Sequence, residues 1–103
     1  MNISFKSKKL QEQIMNNDRL KKEYGRLAKP ICRLINQIKE MKRHELYKLP
    51  DFHELRHQAK GVFASTIKHP YRLVMRVDNS QDLMILAVID YHGKTNVINS
   101  FNY

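Results

Sequence analysis

The sequence is short of cysteine, of long apolar runs and of acidic residues. Cys32 is its one cysteine, so no internal disulfide can form and no thiolate cluster can hold a metal. That usage fits a reducing cytosol. No apolar run approaches the ~20 residues that a membrane-spanning helix needs. Met1-Asn2-Ile3-Ser4-Phe5 lacks the apolar core of a secretion signal. A cytoplasmic protein with no membrane partner is expected. There is no internal repeat and no low-complexity tract. The acidic shortage is the strongest feature: 10 Asp and Glu stand against 19 Lys and Arg, a net charge of +9.

That charge is uneven. Residues 1–49 carry 13 basic and 5 acidic side chains, and residues 50–103 carry 6 and 5. A basic field of this kind attracts polyanions at long range. Nucleic acid or ribosome contact is the reading it favours, and a solvated lysine-rich helix face is the plainer alternative. At 103 residues and 42% hydrophobic content, the chain can build one modest core. Residues 1–103 are read as a single domain, with 93–103 an extra strand or a tail.

Ile3 and Phe5 alternate with polar neighbours, which predicts a short strand. Ser7 then looks like the N-cap of a helix over 8–16, with Leu10 and Ile14 on one face. Asn16-Asn17-Asp18 breaks that helix, and Asp18 is placed to cap the next. Leu20, Tyr24, Leu27, Ile31, Leu34, Ile38 and Met41 follow at spacings of 4, 3, 4, 3, 4 and 3, an apolar stripe of helical period. Gly25 and Pro30 lie inside it. Because the stripe keeps its phase across Pro30, one kinked helix laid on a sheet is expected. Cys32, beside the stripe, is expected to be half-buried. The other face carries Lys21, Lys22, Arg26, Lys29 and Arg33, candidates for contact with RNA or the ribosome.

After Pro50 the pattern changes to strands. Val62–Lys68 is one and Tyr71–Val77 the next, separated by a turn at His69-Pro70. Residues 83–89 are apolar on both faces, which marks a central strand. A further strand is expected over Thr95–Ile98. The fold class is therefore α+β, with two N-terminal helices packed on a mainly antiparallel sheet.

Residues 53–57 spell His-Glu-Leu-Arg-His, the zinc-peptidase pattern. That chemistry needs both histidines one turn apart on a stable helix, with a third ligand. Pro50 and Gly61 bracket the motif, leaving about three turns of helix at most. The next 20 residues offer only His69, in a turn. No metal and no cofactor is therefore expected, and a small zinc hydrolase is kept only as a remote alternative.

Another constellation carries more chemistry: His53, Lys60, Arg72, Arg76, Asp90, Tyr91 and His92, all near strand ends. In a strand Asp90 and His92 share a face, as do Arg72 and Arg76. If the two long strands pair, a cationic, imidazole-bearing patch can form on one side of the sheet. Cleavage of RNA without metal needs a base for the 2′-hydroxyl proton, cations for the phosphorane and an acid for the leaving oxygen. Histidine titrates in the right range, arginine binds phosphate oxygens bidentately, and tyrosine can stack an unpaired base. Packing and solubility are the plainer roles for the same residues.

Tyr24-Gly25, His53-Glu54-Leu55, Lys60-Gly61-x-Phe63, His69-Pro70-Tyr71-Arg72-Leu73 and Asp90-Tyr91-His92 together resemble the HigB branch of the RelE/ParE toxin superfamily, in order and over about nine tenths of the chain. The resemblance implies a RelE-like, microbial-RNase-like α+β fold. It implies an mRNA endonuclease acting on the ribosome, and a HigA-type antitoxin with a helix-turn-helix domain as partner. It assigns Arg72 as catalytic arginine and Asp90, Tyr91 and His92 as the acid/base and stacking group. His53 and Lys60 match the histidine and basic residue ahead of the following strand. Where relatives often read Gly-Asp-Arg-Lys-Gly, this chain has His57-Gln58-Ala59-Lys60-Gly61, one positive charge fewer. Eleven residues follow His92. A non-enzymatic gyrase inhibitor of the ParE kind is the competing reading on the same fold; Arg72 with Asp90-Tyr91-His92 argues for the nuclease.

Overall fold

The computed structural model describes residues 1–55, 60–78 and 81–90. The chain opens with strand β1, Asn2–Phe5. Ser7 Oγ accepts the Leu10 N–H at 3.1 Å and so caps helix α1, Lys8–Met15. Asn16 ends α1 in an extended conformation. Its Oδ1 accepts from the N–H groups of Asp18 and Arg19, at 3.0 and 3.1 Å. Asn16, rather than Asp18, is therefore the cap of helix α2, Asn17–Tyr24.

The single kinked helix expected across Pro30 is two helices. Gly25 adopts φ +54° and ψ −117°, a conformation that residues with a Cβ rarely take, so the chain breaks there. A 3-10 turn over Gly25–Leu27 leads into α3, Ala28–Glu40. Pro30 falls in the first turn of α3, where a helix tolerates a missing N–H. The apolar stripe survives the break because both helices bury the same side of the path. Leu20, Ile31, Leu34 and Ile38 are buried, and Tyr24, Leu27 and Met41 pack partly buried against them. Cys32 is exposed, not half-buried as its position beside the stripe suggests.

A 3-10 segment, Arg43–Lys48, leads to a two-residue strand, β2, His53–Glu54. Then come β3, Val62–Lys68, β4, Tyr71–Val77, and β5, Asp82–Asp90. The His69–Pro70 peptide between β3 and β4 is cis. The sheet order is β1-β5-β4-β3-β2, with β1 parallel to β5 and every other pair antiparallel. The α+β class and the mainly antiparallel sheet are as the sequence predicts. β5 is flanked on both sides, as its doubly apolar pattern requires. The strand expected at Thr95–Ile98 lies outside the described residues. No helix among the described residues is long and apolar enough to cross a membrane.

Side-chain alternation divides the sheet. Leu73, Met75, Val77, Leu83 and Ile85 face the helices and share one core with Ile31, Leu34 and Ile38. Val62, Ala64, Val74, Leu86 and Ile89 lie on the other face and cluster with Leu55. A bulge in β5 sets Ile85 opposite Met75 and Ala87 opposite Val74, so Leu86 is the extra residue and keeps the apolar register on both sides of it.

The break and the core make separate predictions. Gly25→Ala should cost about 1–3 kcal/mol in chemical denaturation, because the backbone conformation alone disfavours a side chain. The space beside it is open, with no atom within 4 Å of an added Cβ. Pro30→Ala should be worth under about 1 kcal/mol, since its ring sits where the helix makes no demand on it. Leu34→Ala should cost about 2–5 kcal/mol as a core truncation. A larger loss from Pro30→Ala than from Gly25→Ala would restore the single kinked helix.

Candidate functional site

The pairing register decides which candidate residues meet. Arg72 lies opposite Thr66 and Ile89, Arg76 opposite Val62, and His53 opposite Ala64. Residues directly opposite in a ladder point to the same side. Arg72, Arg76 and His53 are thus brought to the sheet face turned away from the helices. Strand spacing puts the Cα of His53 about 12 Å from that of Arg72, within reach of two long side chains directed at one substrate.

Asp90 is on the other side. It lies opposite Tyr71, one position out of phase with the Arg72–Ile89 pair, so its side chain projects toward the helix side at the end of β5. The sheet therefore does not set Asp90 on the face that carries Arg72. Lys60 is exposed just ahead of β3. It sits at the Arg76 end, because Gly61 bonds to Val77 through its carbonyl oxygen at 3.1 Å. Arg72 is four residues further along, or roughly 13 Å. Tyr91 and His92 lie outside the described residues. Lys21, Lys22, Arg26, Lys29 and Arg33 are exposed on the helical layer, across the sheet from Arg72.

Arg72 is the most constrained of these groups. Its side chain is 10% exposed, and Nη1 donates to Asp51 Oδ2 at 2.7 Å. The same nitrogen bonds to Thr66 Oγ1. Two acceptors on one nitrogen fix the plane of the guanidinium, whose fork is otherwise rigid. Asp51 reaches Arg72 because the turn before β2 is pinned to β3. The Pro50 carbonyl accepts from Ser65 Oγ at 2.8 Å and from the Thr66 N–H at 2.9 Å. Asp51 itself has φ +50°, a left-handed conformation that Asp tolerates better than most residues.

The same turn orients His53. Its Nδ1 lies 2.8 Å from the Asp51 carbonyl oxygen. A carbonyl can only accept, so Nδ1 carries the proton and Nε2 is the basic nitrogen of the neutral ring. Asp51 thus orients two candidate groups, one through its carboxylate and one through its backbone. By sequence alone Asp51 is one residue of the stretch between Pro50 and Gly61, and Thr66 one more residue of the strand Val62–Lys68. The available signal was a Pro-Asp pair two residues ahead of a histidine.

The motif itself is not helical at its start. His53 and Glu54 form β2, where successive side chains point to opposite faces. Glu54 Oε2 accepts the Gly61 N–H at 2.9 Å and so closes the connection to β3. His57 is outside the described residues. What the face does offer is a fixed guanidinium that can hold phosphate oxygens beside an imidazole that can take a proton. The tautomer is open to measurement. Nitrogen-15 shifts of neutral His53 should report a protonated Nδ1, and a ring protonated chiefly at Nε2 would contradict the hydrogen bond to Asp51.

Neither a family model nor a curated protein matches the sequence. Solved structures do. The YoeB/ParE toxin from Agrobacterium tumefaciens superposes with a TM-score of 0.64 at 19% identity, covering 89% of this chain and 100% of that one. The YoeB–YefM complex from Staphylococcus aureus gives 0.60 at 22%, covering 90% and 98%. The YoeB dimer from the same organism gives 0.59 at 22%, over the same shares of 90% and 98%. At these identities the likeness is one of fold, and the chain has the fold of the YoeB and ParE toxins.

Proposed function

We propose that this chain is the toxin of a type II toxin–antitoxin pair, a HigB-like endoribonuclease that cleaves mRNA on the ribosome and so inhibits translation. The observation that carries the reading is Arg72, held in a fixed plane on the sheet face that also bears His53 and Arg76. A guanidinium placed in this way can stabilise the charge of a pentavalent phosphate without reorganising.

The 2′-hydroxyl of the RNA is the internal nucleophile. His53 Nε2 takes its proton, O2′ attacks phosphorus, and Arg72 stabilises the phosphorane. His92 protonates the departing 5′-oxygen, leaving a 2′,3′-cyclic phosphate and a 5′-hydroxyl. Tyr91 stacks or positions a base. Arg76 and Lys60, at the far end of the face, hold neighbouring phosphates. Asp90 points to the other side of the sheet, and its place in the acid/base group is proposed from the resemblance alone. No step needs a metal. A HigA-type antitoxin with a helix-turn-helix domain is the proposed partner; a YoeB of this fold was solved in complex with YefM.

The second reading is gyrase inhibition of the ParE kind, favoured by the ParE name carried by the Agrobacterium structure. Primer extension on ribosome-bound mRNA in excess EDTA separates the two. The wild type should cleave, and His92→Gln should lose about 10²–10⁴-fold. Arg72→Ala should lose about 10²–10³-fold through lost charge stabilisation. Full activity of Arg72→Ala, or gyrase inhibition without cleavage, would remove the nuclease reading.

A further inference from the structure

A groove runs along the helical layer, on the side of the molecule away from Arg72. Two hollows form it, and they meet at Asn17 and Cys32. The floor is aliphatic: Ile14, Leu20, Ala28 and Ile35 are buried there, while Met15 is 48% exposed. Along α3 the groove extends from Ala28 to Lys39, roughly 16 Å or three helical turns. Its rim is basic. Lys21, Lys29 and Lys39 are exposed on it, and among the described residues none of them is paired with a carboxylate. No acidic side chain lines it among the described residues.

We propose that this groove docks an amphipathic helix of a partner protein, apolar along one face and acidic along its flanks. Naming that partner as the antitoxin rests on the toxin reading above. Charge complementarity with the three lysines selects an acidic segment. The aliphatic floor selects protein over RNA, because no lining residue is aromatic or arginine and none can stack a base. Methionine at the lip suits helix packing, since its side chain adapts to the contour of what it meets. Lys21 and Lys29 therefore serve a protein interface, and RNA contact is left to the face of Arg72 and Arg76. A helix seated here leaves that face uncovered.

Cys32 supplies the test. It lies in the groove, is exposed, and is the only cysteine in the chain. The probe is the protein encoded by the adjacent gene, purified in complex with the full chain. Alkylation of Cys32 by a small maleimide should slow by about tenfold or more in the complex, as expected for a residue inside a dry interface. Met15→Glu, a change at a partly exposed site, and Lys39→Glu, at the far end of the rim, should each weaken the complex by about tenfold while the free chain's mRNA cleavage is unchanged. A stable complex in which Cys32 reacts at the free rate overturns the groove and leaves the toxin reading standing. Protection of Cys32 by ribosomes and not by the partner overturns it in favour of RNA. Failure of the neighbour-encoded protein to bind at all overturns both the groove and the antitoxin assignment, whereas mRNA cleavage reports on the nuclease reading independently.

Discussion

The pairing of Arg72 with Asp51 and Thr66 is the constraint on which the rest of the site depends. An arginine that is 90% covered cannot sit in a sheet without acceptors, since an unpaired buried charge costs several kcal/mol. β3 supplies one acceptor directly. The other comes from a turn that belongs to no regular element and is held by one carbonyl, Pro50, accepting twice. Asp51 is 64% exposed, so the ion pair adds only about 0–1 kcal/mol to folding. Its worth is geometric. It fixes where the guanidinium points, and through its backbone it fixes which nitrogen of His53 carries the proton.

The two-residue alternation of the strands then assigns the molecule two surfaces. Even-numbered β4 residues, Arg72, Val74 and Arg76, look away from the helices, and odd-numbered ones build the main core. The positive charge follows the same division. Arg72 and Arg76 belong to the face turned away from the helices, while Arg19, Lys21, Lys22, Lys29, Arg33 and Lys39, six of the 13 cations of residues 1–49, ride on α2 and α3 behind the sheet. On the proposed function, RNA is drawn to the face of Arg72 and an acidic protein to the helical layer, whose groove has an aliphatic floor.

Much of this was legible from residue order. The apolar stripe from Leu20 to Met41 marked the buried side of the helices, and the apolar run 83–89 marked a flanked strand, because both patterns arise from burial itself. The break at Gly25 was not legible, because the stripe stays in phase through it and Pro30 is the stronger breaker on propensity. In the fold Pro30 lands in a first turn and is harmless. β2 was missed because two residues are too few to show alternation, and its pairing comes from the turn at Pro50. Arg72 and His53 were picked out by their chemistry. Asp51 was not, since what it does depends on a tertiary contact 21 positions away along the chain. The side on which Asp90 falls depends on register, which a bulge sets.

Turnover of ribosome-bound mRNA by Asp51→Ala, measured beside its unfolding midpoint, reads out what the Asp51 carboxylate does for Arg72. If the carboxylate serves to aim Arg72, cleavage should fall by about 10²-fold, the cost of a misplaced catalytic group. Stability should change by no more than about 1 kcal/mol. Cleavage equal to or faster than wild type would mean the opposite, that Asp51 competes with the phosphate for Arg72 instead of holding it in place.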